Sequence, residues 1–394
     1  MKFMRCARLL LAVAPILSGC KGFWNVPSGT SGSGGTGTAS GIFYVLNQKT
    51  SQVAGFSFAT GSTSLTAITN SPYTLSAAPF AMAISPSGGF FYVSTAAGIF
   101  VYSIDTSSGA LTLQNSGQAI TQDPAFTMTV DPSGSWLIEA VSGLSTVNAI
   151  PLDSTTGGVL SGGSEQTATL PAGATAVQQV TTTRSGATNA YVFVAMGTTG
   201  LAAIPFNSTA SGNPFSAGKT YVPKNTTGGD TTVAVDVSRQ ILYVGETVAV
   251  SGSNPGGLRM FAIGDNTTPL TEVTGSPYGS GGIGPSAILP ATNFVYVANK
   301  AVSGSNNGNI TAFAITTTGT TTSLTAVTSG TIAAGVSTLG LAEDNSGTYI
   351  LAVNSSSSPD LNAYTIGTSG ALTSYATVAT GTDPVQAVAI VAAP

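Results

Sequence analysis

Residues 79–118 read PFAMAISPSGGFFYVSTAAGIFVYSIDTSSGALTLQNSGQ, and this stretch decides the fold. Pro79 opens an apolar run from Phe80 to Ile84. Pro86-Ser87-Gly88 supplies a tight turn, because proline pre-sets φ and glycine takes backbone angles that other residues avoid. Phe90 to Val93 is a second apolar run, and Gly98 leads into a third, Ile99 to Ile104. Asp105 to Gly109 is polar turn chemistry, after which Leu111-Thr112-Leu113-Gln114 alternates apolar with polar. Short runs rich in β-branched and aromatic residues, bounded by Gly, Pro and Ser, predict strands. The first three lack a polar face and must be buried on both sides; the fourth alternates, so one of its faces is wet. Four such strands in succession describe one blade of a β-propeller.

The second-strand pattern recurs at Phe43-Tyr44-Val45, Phe91-Tyr92-Val93, Trp136-Leu137-Ile138, Tyr191-Val192-Phe193, Leu242-Tyr243-Val244, Val295-Tyr296-Val297 and Tyr349-Ile350-Leu351. A fourth-strand marker recurs as Leu65-Thr66, Leu111-Thr112, Leu270-Thr271, Leu324-Thr325 and Leu372-Thr373, and Ser71-Pro72-Tyr73 and Ser276-Pro277-Tyr278 mark blade exits. Repeats of this size with four strands each predict a propeller. Blade 1 starts at Gly41-Ile42 with a second strand and has no first one, whereas Asp383-Pro384 precedes a first strand, Val385 to Val391, with no partner after it. Residues 385–391 are therefore expected to pair with 42–47. The fold class is all-β: one domain over residues 41–394, a seven-bladed propeller of four-stranded antiparallel blades closed by its two terminal strands.

The composition, 7% charged with 49 glycines, is neither that of a disordered chain nor that of a helical one. Residues 1–19 read as a signal peptide, with Lys2, Arg5 and Arg8 ahead of an apolar core, Leu9 to Leu17, too short to span a membrane as a mature helix. Leu17-Ser18-Gly19-Cys20 resembles the bacterial lipoprotein signal, which makes Cys20 the lipidated N-terminus; Lys21 in place of an acidic retention residue points to the outer membrane. Cys6 leaves with the signal, so no internal disulfide is expected. Residues 20–40 are the lipidated cysteine and a Gly/Ser/Thr tether, reaching roughly 20–25 Å by the square-root rule. Three of the 11 basic residues leave with the signal, so 8 remain against 15 acids, a net charge of −7. Nucleic acid is disfavoured as a partner.

Pro-x-Ala-x-x-x-Pro-Ser-Gly-x-x-Phe-Tyr-Val (Pro79 to Val93) and Gly284-Pro285-Ser286 through Tyr296-Val297-Ala298-Asn299 resemble the seven-bladed lactonase-type propellers, including the YVTN repeat proteins. In members similar to 6-phosphogluconolactonase, one blade carries Pro-Arg-His at the first strand and Asn-Glu after the second. The matching positions here are Pro285-Ser286-Ala287 and Asn299-Lys300, and the chain has no histidine to serve as a general base. The resemblance implies the fold and argues against that family's sugar-phosphate chemistry.

Other motifs are sparse. No Cys/His pair suits zinc or copper, no phosphate loop precedes a helix, and no cofactor is expected. Glu343-Asp344-Asn345-Ser346-Gly347 and Asp131-Pro132-Ser133-Gly134 read as turns after first strands. In a four-stranded meander, the loop before the first strand and the loop between the second and third emerge on one face. Asp123, Asp230 and Asp383 fall at first-strand starts, and Glu139, Glu246 and Asp360 at or near second-to-third loops, with Lys49 and Lys300. These residues define a candidate acidic mouth, with strand-start turn chemistry as the alternative. The longest loops on that face are expected at 245–257 and 299–309. The expected function is a monomeric, lipid-anchored envelope module binding an envelope protein, a glycan or a small molecule. A lactonase-like hydrolase and a surface adhesion protein are the alternatives.

Overall fold

The computed structural model describes residues 40–59, 65–141, 143–171, 174, 177–183, 189–319, 321–344, 346–357, 359–380 and 387–393. The signal, Cys20, the tether and Asp383 lie outside these residues.

Seven antiparallel sheets follow one another in the chain. The founding blade is Pro79–Ile84, Phe90–Thr95, Gly98–Ile104 and Leu111–Leu113, as the stretch predicts. Its outer strand departs in one respect. Leu111 is buried but Leu113, at the far end of this edge strand, is 44% exposed. The first strands of successive blades contact one another all the way round, from Pro79–Ile84 to Ala387–Ala392 and back. The ring closes through the terminal strands: Phe43 pairs with Ala392, Val45 with Ile390 and Asn47 with Ala387. One blade is thus built from both ends of the described chain.

The core lies between blades. Faces of neighbouring sheets pack into apolar clusters, for example Trp136, Val147, Val192 and Ile204 between blades 3 and 4. This is why first, second and third strands need apolar residues on both sides.

The recurring aromatic of the second strand has a second task. Tyr44 donates its hydroxyl to Gly109 O (2.7 Å), Tyr92 to Gly157 O (3.0 Å) and Tyr296 to Gly370 O (3.1 Å), each in the next blade's third-to-fourth turn. Trp136 Nε1 does the same to Ser208 O (3.0 Å). The acceptor turn must come close: Gly157 has φ +70°, and a Cβ there would sit 2.5 Å from the Phe90 ring. Tyr243 breaks the series, and its buried hydroxyl has no partner. In blade 6 the third strand runs on to Thr318 and the fourth starts at Thr321, a longer hairpin than in the other blades. The Leu-Thr marker is tied likewise: Leu111 N donates to Tyr73 Oη, Leu270 N to Tyr221 Oη and Leu324 N to Tyr278 Oη.

The Asp-containing turns are structural, as expected. Asp131 accepts from Ser133 and from Trp136 N, and Asp344 from Ser346, Thr348 N and Tyr349 N.

Candidate functional site

Two blades place charged groups at the end of the ring where first strands begin and second strands finish. In blade 3 the first strand is Ala125–Val130, the second Trp136–Val141 and the third Thr146–Pro151. Asp123 precedes the first strand, Glu139 lies in the second, and Asn148 is its register partner in the third. Carboxylate oxygens of Asp123, Glu139 and Glu165 all lie within 4.8 Å of one another. Asp123 is half-buried and Glu165 exposed, whereas Glu139 is fully buried beneath them.

Thr121 Oγ1 donates to Asp123 Oδ2 (2.9 Å), and Asn148 Nδ2 donates to Glu139 Oε1 (2.6 Å). A carboxylate only accepts, which fixes the orientation of that amide. Glu139 Oε2 and Asn148 Oδ1 are then left buried without a donor among the described residues. Burial first, then the negative neighbours Glu165 and Asp123, push the Glu139 pKa up to about 7 against the lowering bond from Asn148. Glu165 is raised as well, by desolvation and by Asp123.

In blade 5 the first strand is Asp230–Asp236, the second Ile241–Glu246, the third Gly257–Ile263 and the fourth Leu270–Glu272. Asp230 and Glu246 are direct register partners. Arg259 on the third strand is buried beside them. Its Nη1 lies 4.0 Å from Asp230 Oδ1 and 3.7 Å from Glu246 Oε2 and donates to Val222 O (2.9 Å). Its Nε and Nη2 donate to Glu272 at 3.2 Å each. Glu246 also accepts the backbone N–H groups of Lys224 and Asn225 (2.9 Å each). Asp230 receives no hydrogen bond on either oxygen, and burial, outweighing Arg259, lifts its pKa to about 7.

The sequence-predicted acids thus meet in pairs, Asp123 with Glu139 and Asp230 with Glu246. Lys300 is partly buried at the end of blade 6's second strand, where burial lowers its pKa. Asp360 is buried in blade 7 and braces the chain, Oδ1 accepting Thr380 N (2.8 Å) and its carbonyl accepting Asn354 N (2.8 Å). Lys49 lies beyond the second strand of blade 1. Two expectations need correction. Glu139, Asp230, Glu246 and Asp360 are fully buried and do not line an open mouth; among the predicted acids that are described, only Asp123 reaches solvent. The blade 6 loop is also shorter than 299–309, since its strands extend to Ala301 and resume at Asn307; the blade 5 loop does run from 247 to 256.

Glu165, Asn148, Arg259 and Glu272 complete these clusters and were not foreseen. Arg259 was detectable as the single charge in the apolar run Gly257 to Ile263, and Asn148 follows from the hairpin register opposite Glu139. Glu165 sits in the connection to an outer strand and carries no such signal.

Of the blade 6 positions that match the lactonase motif, Ser286 and Asn299 are neutral and hydrogen-bonded. Ser286 Oγ donates to Thr338 O (2.7 Å), and Asn299 Nδ2 to Ser280 O (2.9 Å) and Asn309 Oδ1 (2.8 Å).

The lactonase family of seven-bladed β-propellers matches residues 37–181, blades 1 to 3 and the strand that begins blade 4. No curated protein matches the chain. Among solved structures, a candidate 6-phosphogluconolactonase from Bacteroides fragilis is similar with a TM-score of 0.70 at 14% identity, over 91% of this chain and 99% of that one. The periplasmic gluconolactonase of Pseudomonas aeruginosa is similar with a TM-score of 0.66 at 14% identity, over 90% and 100%. A candidate 6-phosphogluconolactonase from Bacteroides uniformis gives 0.67 at 15%, over 90% and 99%. The chain is a seven-bladed β-propeller of the lactonase-like architecture, with that family's sequence pattern matched across its first three blades.

Proposed function

We propose that this protein is a ligand-binding propeller of the cell envelope, held to the membrane through a lipidated Cys20, and that its ligand sits on the blade 3 carboxylates. One observation carries the reading: Asp123 and Glu165 reach solvent above buried acceptors, Glu139 Oε2 and Asn148 Oδ1, that no group among the described residues satisfies. Buried acceptors without donors are costly, about 1–3 kcal/mol each, so a partner rich in donors or positive charge is favoured there. A polyhydroxylated molecule such as a glycan fits. The purified mature chain should bind members of a glycan panel by calorimetry, and Asp123→Asn with Glu165→Gln should abolish binding while the melting temperature moves little. No binding across the panel, or binding indifferent to the double substitution, refutes the assignment.

The lactonase family's match, which includes blade 3, supports a second reading. In it Asp123 would orient water toward a sugar lactone, without histidine. Turnover of lactones above the spontaneous rate, lost on Asp123→Asn, would establish that reading over simple binding. The anchor is checked separately: Cys20→Ala should release the protein from membranes and end palmitate labelling.

A further inference from the structure

The blade 3 cluster holds three carboxylates whose available oxygens lie within 4.8 Å of one another, and the charges acting on Glu139 are both negative. Repulsion of this kind calls for a compensating cation. A separate feature points the same way: Asn148, 5% exposed, keeps a buried neutral oxygen beside Glu139 with no donor to meet it. We infer that Asp123, Glu139, Glu165 and Asn148 form a binding site for a hard divalent cation of calcium's size. This rests on reading blade 3 as an acceptor site and names what fills its floor.

The donor set and its geometry select the ion. All four donors are oxygens, and the chain contains no histidine, so metals that prefer nitrogen or sulfur find no suitable ligand. Oxygens on opposite sides of calcium stand about 4.6–5.2 Å apart, whereas magnesium draws them to about 4.0–4.2 Å and demands near-ideal octahedral geometry. Carboxylate oxygens within 4.8 Å of one another can share calcium's shell, and a set drawn irregularly from two strands and two loops suits its flexible geometry better than magnesium's octahedron. Four protein oxygens leave room within calcium's six to eight positions for water, or for hydroxyls of a bound ligand. The exposed rim of Asp123 and Glu165 is the route in; Glu139 and Asn148 form the floor.

Trp136 provides the probe. It lies three residues before Glu139 on the same strand, about 10 Å away at the usual rise per residue. After chelator treatment, the purified mature chain should sensitise terbium emission on tryptophan excitation. Calcium should displace the terbium, and magnesium at the same concentration should not. Asp123→Asn and Glu165→Gln, at positions open to solvent, should each weaken calcium binding at least about tenfold, since affinity follows ligand charge. Glu139→Gln should do the same, and Asp153→Asn, a partly exposed acid of the same blade outside the cluster, should not. Absence of calcium-displaceable emission, or a displacement curve unchanged in Asp123→Asn and Glu165→Gln, overturns the site. Calcium binding without glycan binding supports the site and removes the glycan reading. Glycan binding to a chain that takes up no calcium does the reverse.

Discussion

Replacing Asp230 by Asn should make the protein more stable at pH 8 while leaving it little changed at pH 5. Asp230 is fully buried, neither carboxylate oxygen receives a hydrogen bond, and the nearest guanidinium nitrogen is 4.0 Å away. The charged groups facing it are Arg259 on the third strand, Glu246 on the second and Glu272 on the fourth. Burial dominates, and the pKa rises from the ordinary 3.8 to about 7. Between those values the folded chain holds a proton that the unfolded chain has released, so this residue's contribution to stability falls as pH rises. From pH 5 to pH 7 the difference is nearly one proton over two units, at about 1.36 kcal/mol each, or roughly 2.5 kcal/mol. Asparagine keeps the volume and does not titrate, and Arg259 retains Glu246 and Glu272 as partners. Urea unfolding of both proteins at pH 5 and pH 8 isolates the effect, because Glu139 and Glu343, also raised to about 7, cancel in the comparison. The stability difference should shift by roughly 2.5 kcal/mol toward the Asn protein at the higher pH. A difference that is the same at both pH values would refute the account of Asp230.

The tyrosine series gives a paired test. Tyr92→Phe strands the Gly157 carbonyl and should cost about 1–3 kcal/mol in urea unfolding, whereas Tyr243→Phe removes a buried hydroxyl that already lacks a partner and should be neutral or stabilising. Equal losses in the two proteins would contradict the inter-blade role of the hydroxyl. Deleting residues 387–394 removes buried Ile390 and Val391, worth about 1.5–3 kcal/mol each, and bares the edge of Ser40–Asn47. Against a total of roughly 5–15 kcal/mol the truncated chain should be unfolded or insoluble, and melting within a few degrees of the intact protein would rule out the terminal closure.

The fold was legible because a propeller repeats one solution. Each blade must bury both faces of its inner strands against its neighbours, and that requirement writes the same apolar runs and turns seven times. The reason for tyrosine within those runs was not legible. Tyr44, Tyr92 and Tyr296 reach acceptors 65 to 74 residues onward, in another blade, and strand periodicity carries no information about such a partner. Leu113 shows the matching limit from the other side. Alternation correctly placed it on one face of an outer strand, but whether a neighbour covers that face depends on where the adjacent sheet ends.

The charged site was half legible for a related reason. Topology alone placed Asp123, Asp230, Glu139 and Glu246 at one end of the ring, since strand starts and second-strand ends share one end of a meander; the pairing within blades came from the structure. It could not show that Asp230 and Glu246 would be buried, nor that Arg259 would stand behind them. Blade 6 indicates how to weigh these charges. There the register partners Pro285 and Asn299 occupy the places of Asp230 and Glu246, each pair followed by the same strand irregularity, and Asn299, Asn309 and Ser280 satisfy one another. The matching pair in blade 7 is neutral too, with Thr338 Oγ1 donating to Asn354 Oδ1 (2.8 Å) and Asn354 Nδ2 to Asn362 Oδ1 (2.7 Å). The blade geometry is therefore met without ionisable groups at these positions. Burying charge is expensive even when it is paired, and a buried ion cluster is weak support for stability. In a chain only 7% charged, the acids gathered in blade 3 and the Asp230–Arg259–Glu246 set in blade 5 exceed what the propeller requires, and of the two only blade 3 carries acids that reach solvent, which is why the proposed ligand is placed there.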